Sequence, residues 1–168
     1  RSSSRRAPHN LLLDPTCAVN TAFEPGPAKQ LWPIDGDWSP EPEVGATPDT
    51  TFDVNMDGVR VTWTWVPDFE VYVRAQNGNP HRAVSGNQIA ANNVVEIYTA
   101  HPPSPVDAGS PNPITIGGGR AVIHRNGERL EAVWGRTVPY DAFGLADAAT
   151  GEPIFLDQGK TFIQLVRA

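Results

Sequence analysis

Cysteine is nearly absent from this 168-residue chain, Cys17 standing alone. That excludes an intrachain disulfide and a cysteine-based zinc site. No base flanks it in Asp14-Pro15-Thr16-Cys17-Ala18, so it reads as a small packed side chain rather than a nucleophile. Lysine is scarce too, Lys29 and Lys160 being the only ones, and the net charge is −6. Nucleic-acid binders displace counterions with clustered Lys and Arg, so a nucleic-acid partner is not expected. The densest basic group, Arg1, Arg5 and Arg6, lies at the very start and reads as a solvated tail. No run nears the roughly 18 apolar residues that span a bilayer. Long stretches free of helix breakers are missing as well, because the chain carries 15 Gly and 17 Pro. Helix bundles and coiled coils are therefore excluded.

What is present is alternation. In Val59-Arg60-Val61-Thr62-Trp63-Thr64-Trp65 the Val and Trp side chains point one way and the polar ones the other, the mark of a half-buried strand. Phe52–Met56 precedes it across Asp57-Gly58, a two-residue hairpin turn, which sets Phe52 opposite Trp63 and Val54 opposite Val61. Asn126-Gly127 predicts a second hairpin joining Arg120–Arg125 to Glu128–Trp134, with Ala121 and Ile123 facing Ala132 and Leu130, and His124 on the outer face. Further strands are predicted at Phe69–Arg74, Asn93–Thr99, Ile154–Asp157 and Thr161–Arg167, the last two joined by a turn at Gln158-Gly159. Long surface loops are predicted at Pro33–Asp49 and His101–Pro113. The expected fold is all-β, an antiparallel β-sandwich or partly open barrel with long Pro-rich loops. Residues 1–31, with the isolated run Leu11-Leu12-Leu13, read as an N-terminal arm that packs on something else, and residues 32–168 as the domain.

Candidate chemistry is sparse. His9, His81 and His124 show no i,i+4 pair and no short His-x-His, so neither metal nor cofactor is expected. No carboxylate pair is aimed at one bond, and Gly117-Gly118-Gly119 precedes a strand rather than a helix, so it reads as a bulge or bend and not a phosphate loop. Tyr72 and Arg74 share one face of a strand and His81 follows in the next loop. With Asn92 or Asn93 they would line a groove. Arg grips carboxylate or phosphate two-pronged, Asn donates and accepts, and Tyr stacks, a set suited to anionic or hydroxyl-rich ligands. The competing reading is that Arg74 and the Asn side chains satisfy loop backbone and merely hold the connections. Trp63 and Trp65 belong to the core, whereas Trp32 and Trp38 are the exposed candidates for stacking on sugar.

Several segments in order are similar to the YerB family of bacterial lipoproteins, whose C-terminal part is a domain of unknown function. They are Arg5-Arg6-Ala7-Pro8-His9-Asn10; Tyr72-Val73-Arg74 with His81; Gly86-Asn87-Gln88-Ile89-Ala90-Ala91-Asn92-Asn93-Val94-Val95; and the closing set of Gly117, Gly119, Asn126-Gly127, Trp134, Gly151, Ile154, Gly159-Lys160-Thr161 and Leu165-Val166. The resemblance implies the C-terminal half of a larger extracytoplasmic precursor. A signal peptide, a lipid-attachment Cys and a first domain would lie upstream of Arg1, and that anchor would be the sole link to a membrane. The missing N-terminal domain is the expected partner, with residues 1–31 the end of it. The expected function is noncatalytic binding or assembly at the cell wall, a polar ligand being held by Tyr72, Arg74, His81 and Asn93, with Arg5, His9 and Asn10 brought in by the arm. The alternative is an envelope hydrolase with its site at the domain junction and His9 or His81 as base.

Overall fold

The structure, a computed structural model, describes Trp32 and residues 45–168. Its strands are β1 (Thr47–Pro48), β2 (Thr51–Met56), β3 (Val59–Val66), β4 (Val71–Gln76), β5 (Asn79–Pro80), β6 (Ala90–Ala91), β7 (Asn93–Thr99), β8 (Gly117–Arg125), β9 (Glu128–Arg136), β10 (Gly144–Asp147) and β11 (Thr161–Arg167). The all-β expectation is met, and the architecture is sandwich-like. One sheet runs β2-β3-β4-β5 with β6 also on β4, and the other runs β1-β9-β8-β7-β11 with β10 also on β9.

Both hairpins have the register their turns dictate. Phe52 faces Trp63 and Val54 faces Val61, while Ala121 faces Ala132 and Ile123 faces Leu130. Asp57, Gly58, Asn126 and Gly127 all take the positive φ such turns require.

Three expectations are corrected and a fourth is narrowed. The strand predicted from Phe69 starts at Val71, because Pro67–Phe69 forms a 3₁₀ turn closed by Glu70 in the left-handed region. Ile154–Asp157 is not a strand: this stretch pairs only through isolated bridges, at Pro153 with Ala146 and at Leu156, and it covers the sheet, burying Ile154 and Leu156. β11 therefore pairs not with its chain neighbour but with β7, in parallel, which makes the second sheet mixed. Gly117–Gly119 keeps the expected bend, at Ile116 with Gly117 at positive φ, but holds no bulge: it starts β8, Gly118 facing Gly135 and Gly119 facing Trp134. A Cβ at Gly119 would lie 2.9 Å from the Trp134 indole nitrogen and 3.0 Å from the Tyr98 carbonyl, so the indole fills the space that the glycine leaves.

The mixed sheet is covered on both faces. On one, Val95, Ile97, Ala121, Ile123, Leu130, Ala132 and Trp134 pack against Phe143, Leu145, Ile154 and Leu156. Trp32 belongs here, stacked on Phe143 at 4.5 Å, so it is part of the core and not an exposed platform. On the other face Val94, Tyr98, Phe162 and Val166 meet Phe52, Val54, Val61, Trp63 and Tyr72 of the first sheet. Cys17, Trp38 and the arm 1–31 lie outside the described residues.

Candidate functional site

Strand alternation decides which predicted site residues can meet. Tyr72 and Arg74 both point from β4 into the layer between the sheets. Tyr72 is fully buried among Phe52, Trp65 and His124, and its hydroxyl donates to the Asp49 carbonyl at 3.1 Å. No ring face is left for a ligand. Asn93 precedes Val94 on β7 and so faces the opposite side of the mixed sheet, among the covering segment. Its amide donates to the Asp157 carbonyl at 2.9 Å and its oxygen accepts the Asp157 N–H at 3.2 Å. Asn92 ties the β4 approach to the β11 approach: it donates to the Glu70 carbonyl and accepts the Lys160 N–H at 2.9 Å. A side chain at Gly159 would collide with it, a Cβ there lying 2.3 Å from its oxygen. The two asparagines are thus clamps, and the groove expected to unite Tyr72, Arg74, His81 and Asn93 does not form.

Arg74 and His81 do come together. The chain leaves β4 through Asn77-Gly78, both at positive φ, and returns so that the His81 N–H bonds the Arg74 carbonyl at 2.9 Å while the Arg74 N–H bonds the Ile89 carbonyl at 2.9 Å. Gln88 adds a side-chain bond to the same Arg74 carbonyl. Arg74 is 8% exposed. Its Nη1 donates to Gln76 Oε1 at 3.1 Å and to His81 Nδ1, and its guanidinium lies 5.6 Å from the Phe162 ring centroid. Nε is occluded without a partner. None of these neighbours is acidic, and burial lowers the guanidinium pKa from its ordinary value.

His124 corrects a further expectation. It is on the predicted face, but that face is roofed by the first sheet, and the residue is 1% exposed. Nε2 donates to Glu96 Oε1 at 2.8 Å, Nδ1 faces Asp49 Oδ2 at 3.4 Å, and Phe52 stacks on the ring. Tyr98 donates to the other Glu96 oxygen at 2.8 Å. Burial, and then the hydrogen bond to Glu96, raise the Tyr98 phenol pKa. Glu96 also lines a cavity of about 410 Å³ with Asp53, Asp57, Tyr98 and Arg167. Sequence reasoning missed this group, because Glu96 and His124 lie 28 residues apart and each reads as a wet-face polar residue. Among the described residues no cluster of three or more His, Cys, Asp or Glu is placed to hold a metal ion. Arg5, His9 and Asn10 lie outside the described residues.

Two stacked sheets with a polar layer between them define a class of small all-β domain. Within it the chain belongs to the family described as protein of unknown function (DUF3048) C-terminal domain, whose profile matches residues 51–163. The crystal structure of the YerB protein from Bacillus subtilis is similar in fold, with a TM-score of 0.68 and 17% sequence identity over 99% of this chain and 55% of that one. The chain thus spans about half the length of YerB. No curated protein matches it in sequence. Among the described residues no helix is long and apolar enough to cross a membrane.

Proposed function

We propose that this chain is the noncatalytic C-terminal binding module of an extracytoplasmic lipoprotein, and that it takes a polar ligand of the cell wall at Arg74 and His81. The lipoprotein and wall assignments are supported by the resemblance to the YerB family, and the partnership with an upstream domain by the share of YerB that the chain leaves unmatched. One observation carries the binding site: Arg74 is more than nine-tenths buried, and its side-chain hydrogen-bond partners, Gln76 and His81, include no carboxylate. Tyr72 and Asn93 leave the contact set because their polar groups are already spent inside the fold. Arg5, His9 and Asn10 remain proposed contributors through the arm.

The hydrolase reading gains nothing from His81. Its Nδ1 lone pair is taken by an Arg74 N–H, so the nitrogen that would abstract a proton is occupied. The test is retention of the full chain on purified wall material. Arg74→Ala and His81→Ala should each cut retention while the circular dichroism spectrum stays that of the parent. Unchanged retention with an intact fold overturns the proposal, and turnover of wall polysaccharide that is lost in His81→Ala reinstates the hydrolase.

A further inference from the structure

Two arginines among the described residues are more than nine-tenths buried, Arg74 and Arg125. Arg125 has what a buried guanidinium needs: Asp157 Oδ1 lies 3.3 Å from its Nη1, and the Phe155 carbonyl accepts from the same nitrogen. The more exposed Arg120, Arg129 and Arg167 also each meet a carboxylate. Arg74 meets none. Desolvating a guanidinium without a counter-charge is among the costlier arrangements a small domain can hold, and an anion is what offsets it.

Resting on the binding reading above, we infer that the group recognised at Arg74 is an oxyanion, the carboxylate or phosphate of an otherwise hydroxylated ligand. Donors are in place for it. Arg74 Nη2 makes no bond within the protein, and unlike Nε it is not sealed from solvent. His81 Nδ1 accepts from Nη1, which leaves the hydrogen of the neutral ring on Nε2, and Nε2 also bonds nothing in the protein and is not occluded. An oxyanion has lone pairs for both donors at once, whereas a neutral hydroxyl satisfies one and leaves the charge unmatched. The backbone bonds of residues 81 and 89 to residue 74 hold the two side chains in register before any ligand arrives, and such preorganisation saves ordering cost on binding.

The experiment is calorimetric titration of the full chain with three probes of equal length: oligoglucuronate, oligo(glycerol phosphate) and a neutral N-acetylglucosamine oligomer. At least one acidic probe should bind roughly tenfold or more tighter than the neutral one, with affinity falling as salt rises. Binding of oligoglucuronate alone identifies a carboxylate source, and binding of the phosphate oligomer alone a phosphate source. Arg74→Gln should lose roughly ten- to hundredfold in acidic-probe affinity, and Arg74→Lys should recover part of that loss. Should Arg74→Gln fail to fold, His81→Gln and Arg74→Lys carry the test, since each must still weaken acidic probes more than the neutral one. Equal affinity for neutral and acidic probes, no affinity for either acidic probe, or undiminished acidic-probe binding in a folded Arg74 variant overturns the inference. Retention on wall material without charge discrimination sinks this inference and leaves the proposed function standing. Acidic-probe binding without wall retention does the reverse.

Discussion

The two faces of the mixed sheet place their polar groups differently. One keeps its buried polar residues, Asn93, Thr99 and Arg125, at strand ends and is otherwise dry: β7, β8 and β9 present Val95, Ile97, Ile123, Leu130 and Trp134, and the segment carrying Ile154 and Leu156 lies over them. The other is equally well covered yet includes Glu96, His124 and Gln164, all nearly fully buried, with Trp63 donating to Gln164 across the layer. An apolar cover tolerates sliding, because dispersion and water exclusion have little direction. A polar layer does not, because each buried donor must find its own acceptor. The teaching of the contrast is that the dry face supplies stability, while the polar face fixes how the two sheets sit on one another and so where Arg74 meets Phe162.

The sharpest way to break this comparison is to truncate one member of the polar layer. Glu96→Ala leaves the buried His124 and the half-buried Tyr98 hydroxyl without their acceptor, and it should cost about 4 kcal/mol in urea unfolding. Replacing both partners, Glu96→Leu with His124→Leu, should cost far less than the two single substitutions added together, because matched apolar groups leave nothing unsatisfied. A Glu96→Ala loss below about 1 kcal/mol would mean that water from the adjoining cavity satisfies the layer, and the distinction between the faces would dissolve.

On the dry face the expected behaviour is additive and insensitive to partner. Leu156 is fully buried against the sheet, and Leu156→Ala should cost about 3 kcal/mol through lost transfer energy and the cavity left behind. No second substitution should restore it except one that refills the volume. The same measurement tests whether a segment paired only by isolated bridges contributes as much as a strand, and a loss under about 1 kcal/mol would show the cover to be loosely laid.

How much of this was legible in the sequence follows from how local each feature is. The hairpins at Asp57-Gly58 and Asn126-Gly127 could be read to the residue, because the turn chemistry and the alternation of Phe52, Val54, Val61 and Trp63 sit within a few positions of each other. The parallel pairing of β11 with β7 was not legible: it joins Thr161 to Asn93, and no local signal reports which distant edge a strand will choose. Nor was the burial of His124. Alternation states which face a side chain takes but not whether that face is wet, and here a second sheet supplies the roof. The candidate site divides the same way. The proximity of Arg74 and His81 is legible because a short connection separates them, whereas the place of Asn93 is not, because its face is set by β7 and its partner Asp157 lies 64 residues on.

The smallest expected effect separates the faces by pH. Burial, and then the negative charge of Asp49, push the Tyr72 phenol well above its ordinary value of 10.0. The folded protein therefore keeps this proton at pH values where the unfolded chain releases it. Stability from this source is fully present below the ordinary phenol range and is lost progressively as pH rises above it, toward the higher folded value. The cluster on the dry face contains no tyrosine, so the alkaline weakening belongs to the inter-sheet layer, with Tyr98 contributing in the same direction. Tyr72→Phe should cost about 1 kcal/mol near neutrality, for the hydroxyl bond to the Asp49 carbonyl. It should also flatten the fall in stability between about pH 9 and about pH 11. Urea unfolding of the two proteins across that range is the measurement. If the alkaline fall is equally steep in Tyr72→Phe, the inter-sheet layer is not where the folded state resists ionisation, and the two faces respond to pH alike.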